Sequence, residues 1–156
     1  AFGTPAELHG IQCALATLVT VRSYKKLAGI TPDREKALAY VSSFDPDKWS
    51  AHLREKLGAG AEAMIAGEAR EHKYDKEKHR ARLERIISRW NEIKAVIDEM
   101  PSPDDLEALM RRTGLLVTPE EIGISDDDLH EAFIMAKDIR DKYVLGRLLW
   151  DLGLLA

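Results

Sequence analysis

Pro5-Ala6-Glu7-Leu8-His9-Gly10-Ile11-Gln12-Cys13-Ala14-Leu15-Ala16-Thr17-Leu18-Val19-Thr20-Val21-Arg22-Ser23-Tyr24-Lys25-Lys26 is the stretch whose reading decides the fold. From Ile11 to Val21, apolar and small residues fall on every side of a helix, and only Gln12, Thr17 and Thr20 interrupt them. A helix of that composition is enclosed by other elements, so the pattern predicts a central spine over residues 5–26. Thr4 suits its cap, and Pro5 stands in the first turn, where a missing N–H is no loss. Arg22, Lys25 and Lys26 complement the dipole at the other end.

A chain of 156 residues, 45% of them hydrophobic, is the size of one domain able to bury its own core. The net charge of -4 speaks against a general nucleic-acid binder, which needs surplus Lys and Arg to displace phosphate counterions. The apolar run of the first helix is too short and too interrupted to cross a bilayer, so no membrane association is expected. Cys13 is the single cysteine and has no internal disulfide partner. Among apolar neighbours it reads as a small buried hydrophobe in a reducing, cytoplasmic setting. The chain opens Ala1-Phe2-Gly3-Thr4 without an initiating Met, and a buried helix so near the start predicts a preceding segment, as in a domain cut from a larger protein.

Outward from the spine, every segment carries helical signals. Gly29 closes the first helix, and a short helix over 34–41 follows Thr31-Pro32-Asp33. Asp45-Pro46-Asp47 starts a third, with Trp49, Leu53 and Leu57 as its stripe, interrupted at Gly58 to Gly60. Leu83, Ile86, Ile87, Trp90, Ile93, Val96, Ile97 and Met100 predict one long amphipathic helix over 75–100, stopped by Pro101-Ser102-Pro103. Ser102 with Asp105, Thr118-Pro119-Glu120-Glu121 and Ser125 before Asp126-Asp127-Asp128 mark three further starts. The helix after Ser125 carries Leu129, Phe133, Ala136, Ile139 and Arg140, and a last short one ends at Gly153. No stretch alternates long enough to require a strand. The expected fold is therefore all-α, a compact multi-helix bundle forming a single domain over 1–156, with the 75–100 helix against the spine.

Three constellations carry candidate chemistry. His9 followed by Gly10 puts an imidazole at a helix start, but a catalytic metal needs about three protein ligands, and nothing near His9 supplies the others. Glu68, His72, Asp75 and His79 share one face if a helix continues through Tyr74. The Glu-x-x-His element of di-iron bundles is absent and Lys73, Lys76 and Lys78 crowd the region, so the better reading is a solvated charged face. Asp126 to Asp128 lacks the glycine and spaced oxygens of a calcium loop and reads as capping.

Several segments together resemble a known family. Glu7-Leu8-His9-Gly10-Ile11-Gln12, followed by a small and apolar helix, resembles the His-Gly helix of the iron-containing alcohol dehydrogenase and dehydroquinate synthase-like superfamily. Phe44-Asp45 with Trp49, Leu57-Gly58 through Glu68, Trp90 with Ile93 and Thr118-Pro119-Glu120-Glu121-Ile122-Gly123-Ile124 are similar to bacterial-type sn-glycerol-1-phosphate dehydrogenases. So are Ile139-Arg140-Asp141-Lys142-Tyr143 and the closing Leu149-Trp150-Asp151-Leu152-Gly153-Leu154-Leu155.

The resemblance implies the carboxy-terminal helical domain of a two-domain oxidoreductase of phospholipid biosynthesis. Its missing partner would be an amino-terminal Rossmann-like domain binding NAD or NADP. A divalent metal, zinc or nickel, would be held by one Asp and two His, and His9 matches the last of these ligands. The substrate pair would be dihydroxyacetone phosphate and sn-glycerol 1-phosphate, with no activity from this chain alone. Where relatives often carry an acidic residue after His-Gly, this chain has Ile11. Arg140 could face the substrate phosphate, but a structural role closing the last helices is the stronger expectation. Other members of the superfamily, a glycerol dehydrogenase or a dehydroquinate synthase, are the near alternatives. A free-standing helical interaction module is the distant one, and a homo-oligomer of the intact enzyme is left open.

Overall fold

The computed structural model describes residues 9–155, and all regular structure among them is helical. The helices are α1 (His9–Ala28), α2 (Arg34–Ser43), α3 (Pro46–Leu57), α4 (Ala61–Glu71), α5 (Lys76–Ser88), α6 (Trp90–Asp98), α7 (Pro103–Arg112), α8 (Asp126–Ala136) and α9 (Leu145–Asp151). Single 3-10 turns lie at Gly58–Gly60 and Glu120–Ile122. The all-α expectation is met. The start expected at Thr4-Pro5 lies outside the described residues.

Local chemistry explains where the helices begin. Asp33 accepts from the Lys36 amide at 3.0 Å, and Asp45 accepts from the amides of Asp47 and Lys48 at 3.0 and 3.2 Å. Ser125 Oγ accepts from the Asp128 amide at 3.1 Å and donates to its carboxylate at 2.8 Å. Each contact satisfies an amide that the first turn leaves without a partner, so the Asp126–Asp128 run serves as capping.

The described residues form two compact units, one of residues 32–89 and 131–155, the other of residues 9–31 and 90–130. In the first unit α3 packs on α4, α2 on α5, and α9 on both α2 and α5. Val41, Trp150 and Leu155 form one core cluster, and Leu53, Ala61, Met64 and Met135 form another. Trp150 is fully buried, with the rings of Phe44, Tyr74 and His79 meeting it edge to face, the geometry that aromatic quadrupoles favour. Gly153 has φ +68°, and a Cβ there would lie 3.1 Å from both Ala37 Cα and Tyr40 Cβ, so only glycine fits this close turn after α9.

In the second unit α1 packs against α6 and α7. Arg22 pairs with Glu107 of α7. The Lys25 ammonium donates to the carbonyls of Ile97 and Asp98 at 2.8 and 3.3 Å, satisfying the open end of α6. Trp90 Nε1 donates to the Ile30 carbonyl at 3.0 Å.

Three expectations are corrected. The α1 helix is not enclosed on all sides: Ala14, Leu15, Leu18 and Leu27 are buried, whereas Gln12, Cys13, Ala16 and Thr17 are exposed. Alanine and threonine offer so little apolar surface that exposing them has a small penalty, and an all-round count overstates the need for cover. The 75–100 helix is two helices, broken at Arg89 with φ -111° and ψ 19°. Leu83 and Ile86 are buried in the first unit and Trp90 and Ile97 in the second, so the apolar stripe runs on while the chain changes unit. The helix after Ser125 stops at Ala136, before Ile139 and Arg140, because Lys137 and Asp138 turn into a buried polar cluster.

Candidate functional site

His9 is the first described residue of α1 (His9–Ala28), and its side chain is exposed. One turn on, the Cys13 sulfur lies 3.4 Å from His9 Nε2 and is likewise exposed, so Cys13 is not the buried hydrophobe its neighbours suggested. The periodicity that places Leu15 and Leu18 inward turns Cys13 outward. A Cβ on Gly10 would have no atom of the described residues within 4 Å. Among the described residues no group of three or more His, Cys, Asp or Glu side chains converges to hold a metal ion. At this point of the described chain an imidazole and a thiol stand side by side.

The Glu68, His72, Asp75 and His79 face does not exist as one face. The α4 helix ends at Glu71, His72 adopts a left-handed conformation with φ 51°, and Asp75 becomes the cap of α5 through the Lys78 amide at 2.9 Å. That backbone hydrogen bond holds the Asp75 carboxyl below its usual range. His72 and Asp75 are solvated as expected, but Glu68 and His79 are buried. The His79 imidazole bonds the Asp151 carbonyl at 2.9 Å. Asp151, also buried, accepts a two-pronged contact from Arg82 at 3.0 and 2.9 Å and the Tyr143 hydroxyl at 2.8 Å.

Glu68 belongs to a buried polar cluster built around Trp49. The Trp49 indole N–H is shared between Glu68 Oε1 at 3.2 Å and Asp138 Oδ2 at 3.0 Å. The Lys137 ammonium lies 2.7 Å from Asp138 Oδ2 and 3.4 Å from the centre of the Trp49 ring. The Tyr74 hydroxyl donates to the same carboxylate. The Arg147 guanidinium lies over the rings of Tyr74 and Trp150 at 5.0 and 4.3 Å. Asp138 Oδ1 makes no hydrogen bond but lies 3.7 Å from Lys73 Nζ and 3.9 Å from Arg147 Nη1, so it is compensated by charge alone. Gly146 permits the assembly, since a Cβ there would lie 3.1 Å from Lys137 Cβ.

These contacts separate the two carboxyl groups. Burial, then the Asp138 charge beside it, pushes Glu68 up to about 7. Burial also works to raise Asp138, but the Lys137 ammonium and the Tyr74 hydroxyl outweigh it and hold Asp138 low. Burial brings Lys137 down to about 8, and burial together with the Asp138 charge raises Tyr74. One carboxyl group that takes up a proton near neutrality beside one that stays ionised is an arrangement suited to storing and releasing a proton. An open groove of about 390 Å³, bordered by Ser50, Ile65, Glu68, Lys73 and Tyr74, connects Glu68 to solvent.

This cluster was not found in the sequence. Lys137-Asp138 at the end of an apolar run was its one local signal, and Trp49, Glu68 and Arg147 come from distant segments. Arg140 is exposed, and its carbonyl accepts from Lys73 Nζ at 2.8 Å. Tyr143, rather than the Arg140 side chain, ties this segment to the last helix. No helix among the described residues is long and apolar enough to cross a membrane. Comparison with protein-family models, with characterised proteins and with solved structures finds no match to this chain.

Proposed function

We propose that this chain is the helical, metal-facing part of an NAD(P)-dependent sn-glycerol-1-phosphate dehydrogenase, and that it acts only together with a nucleotide-binding domain. The observation that carries the reading is His9, an exposed imidazole within the Glu7-Leu8-His9-Gly10 segment. The order of the other resembling segments along an all-helical chain supports it.

In this reading His9 supplies one ligand, and an Asp and a second His come from the partner domain. His9 and those partner ligands would hold zinc or nickel, which would supply Lewis-acid polarisation of the dihydroxyacetone phosphate ketone, and NAD(P)H would supply hydride. His9 holds the ion and transfers no proton. Gly10, lacking a side chain, leaves room beside it.

The test pairs the chain with a nucleotide-binding domain supplying the missing ligands. His9→Ala is expected to abolish bound metal, read by elemental analysis, and nearly all turnover of dihydroxyacetone phosphate, with an unchanged circular dichroism spectrum. Full metal content and turnover in that variant would remove His9 from the reaction. The chain alone is expected to oxidise no NAD(P)H with this substrate.

A further inference from the structure

The Trp49 cluster has no part in the proposed metal chemistry, yet it draws two carboxyl groups from α4 and the end of α8 onto one indole N–H. Two carboxylates so placed repel if both are ionised, and their surroundings decide which one takes the proton. Asp138 is fully buried and has Lys137, Lys73, Arg147 and the Tyr74 hydroxyl about it. Glu68 has the indole N–H, with the groove on its open side. The proton therefore goes to Glu68. The groups that face it are Trp49 from α3, Tyr74 from the turn after α4, and Lys137 and Asp138 after α8, with Lys73 on the shared groove and Arg147 acting on Tyr74 and Lys137. His72 and Asp75 border the groove beyond them.

We propose that Glu68 and Asp138 form a proton-operated latch on the segment 139–144. The segment departs from Asp138 and is held by Lys73, whose ammonium donates to the carbonyls of Asp138 and Arg140 at 3.3 and 2.8 Å. At its far end the Tyr143 hydroxyl is tied to Asp151. With Glu68 protonated, Asp138 has Lys73 and Lys137 to itself and the segment is clamped. When Glu68 loses its proton, the two carboxylates on one indole N–H repel each other and both draw on Lys137, which displaces Asp138 and with it the carbonyl that Lys73 holds. The segment carries Ile139 and Tyr143, 58% and 54% exposed, so the latch governs how firmly a small apolar patch is presented.

The deciding experiment follows the Glu68 side-chain carboxyl carbon by NMR in the full chain while amide exchange is read over 139–144 from pH 5.5 to 8.5. Glu68 is expected to titrate near pH 7. Protection over 139–144, corrected for intrinsic exchange, should fall as pH rises toward that midpoint and level off above it, because a carboxyl raised in the clamped form gives stability that is lost as pH rises through its raised value. Glu68→Gln, which cannot ionise, should hold protection constant over the same range. A midpoint at the ordinary glutamate value of ~4.3, protection independent of pH in the native chain, or an unchanged pH dependence in Glu68→Gln would each overturn the latch. The native titration needs no variant, so a poorly folding Glu68→Gln does not blunt the test.

Discussion

The Lys137 ammonium lies 3.4 Å above the centre of the Trp49 ring, although 88 positions separate the two residues in the chain. Lysine is rarely fully buried without a partner, and here the ring face and the Asp138 carboxylate at 2.7 Å share its charge. Methionine matches the stem but not the charge. Lys137→Met should therefore leave Asp138 and Glu68 under-compensated and destabilise the chain by about 3 kcal/mol, the usual result of removing one partner of a buried pair. Urea denaturation at pH 7 measures it, and a loss within error would show that the ammonium is dispensable.

Glu121 makes an acid-range prediction. Its carboxylate accepts from Arg111 at 2.9 Å and from the amides of Val117 and Thr118 at 2.9 and 3.0 Å. The Arg111 contact first, then the amides, hold it down to about 2. A carboxyl group lowered on folding stabilises the native state above its unfolded value, and that contribution is lost as pH falls through the folded one. Melting temperatures of the native chain and Glu121→Gln should therefore differ at pH 6 and converge as pH approaches 2. Parallel curves would contradict the assignment.

The two sides of α1 should respond differently. Leu15 is 4% exposed and Ala16 is on the open side. Leu15→Ala opens a cavity and should destabilise by ~2–4 kcal/mol, whereas Ala16→Ser should stay within ~0.5 kcal/mol. Equal effects in chemical denaturation would mean that α1 is covered on both sides.

Gly153 tests the turn that closes α9. Gly153→Ala forces a side chain into φ +68° and into contact with Ala37 and Tyr40. The expected loss is about 1–3 kcal/mol, read by thermal and urea unfolding. A stabilised variant would show that the turn relaxes freely.

Sequence by itself determined the helical class and most helix starts, because a cap is a contact between residues two or three apart. Asp45, Ser102 and Ser125 were legible for that reason. Tertiary structure alone decided the break at Arg89, where an unbroken apolar stripe divides between two units. It also decided the outward turn of Cys13 and the burial of Glu68 beside Asp138. Periodicity reports which residues avoid water but not which distant segment excludes it. Charges such as Glu68 and Lys137 read as solvated until the chain brings Trp49, Asp138 and Arg147 around them, and their proton affinities follow from that enclosure.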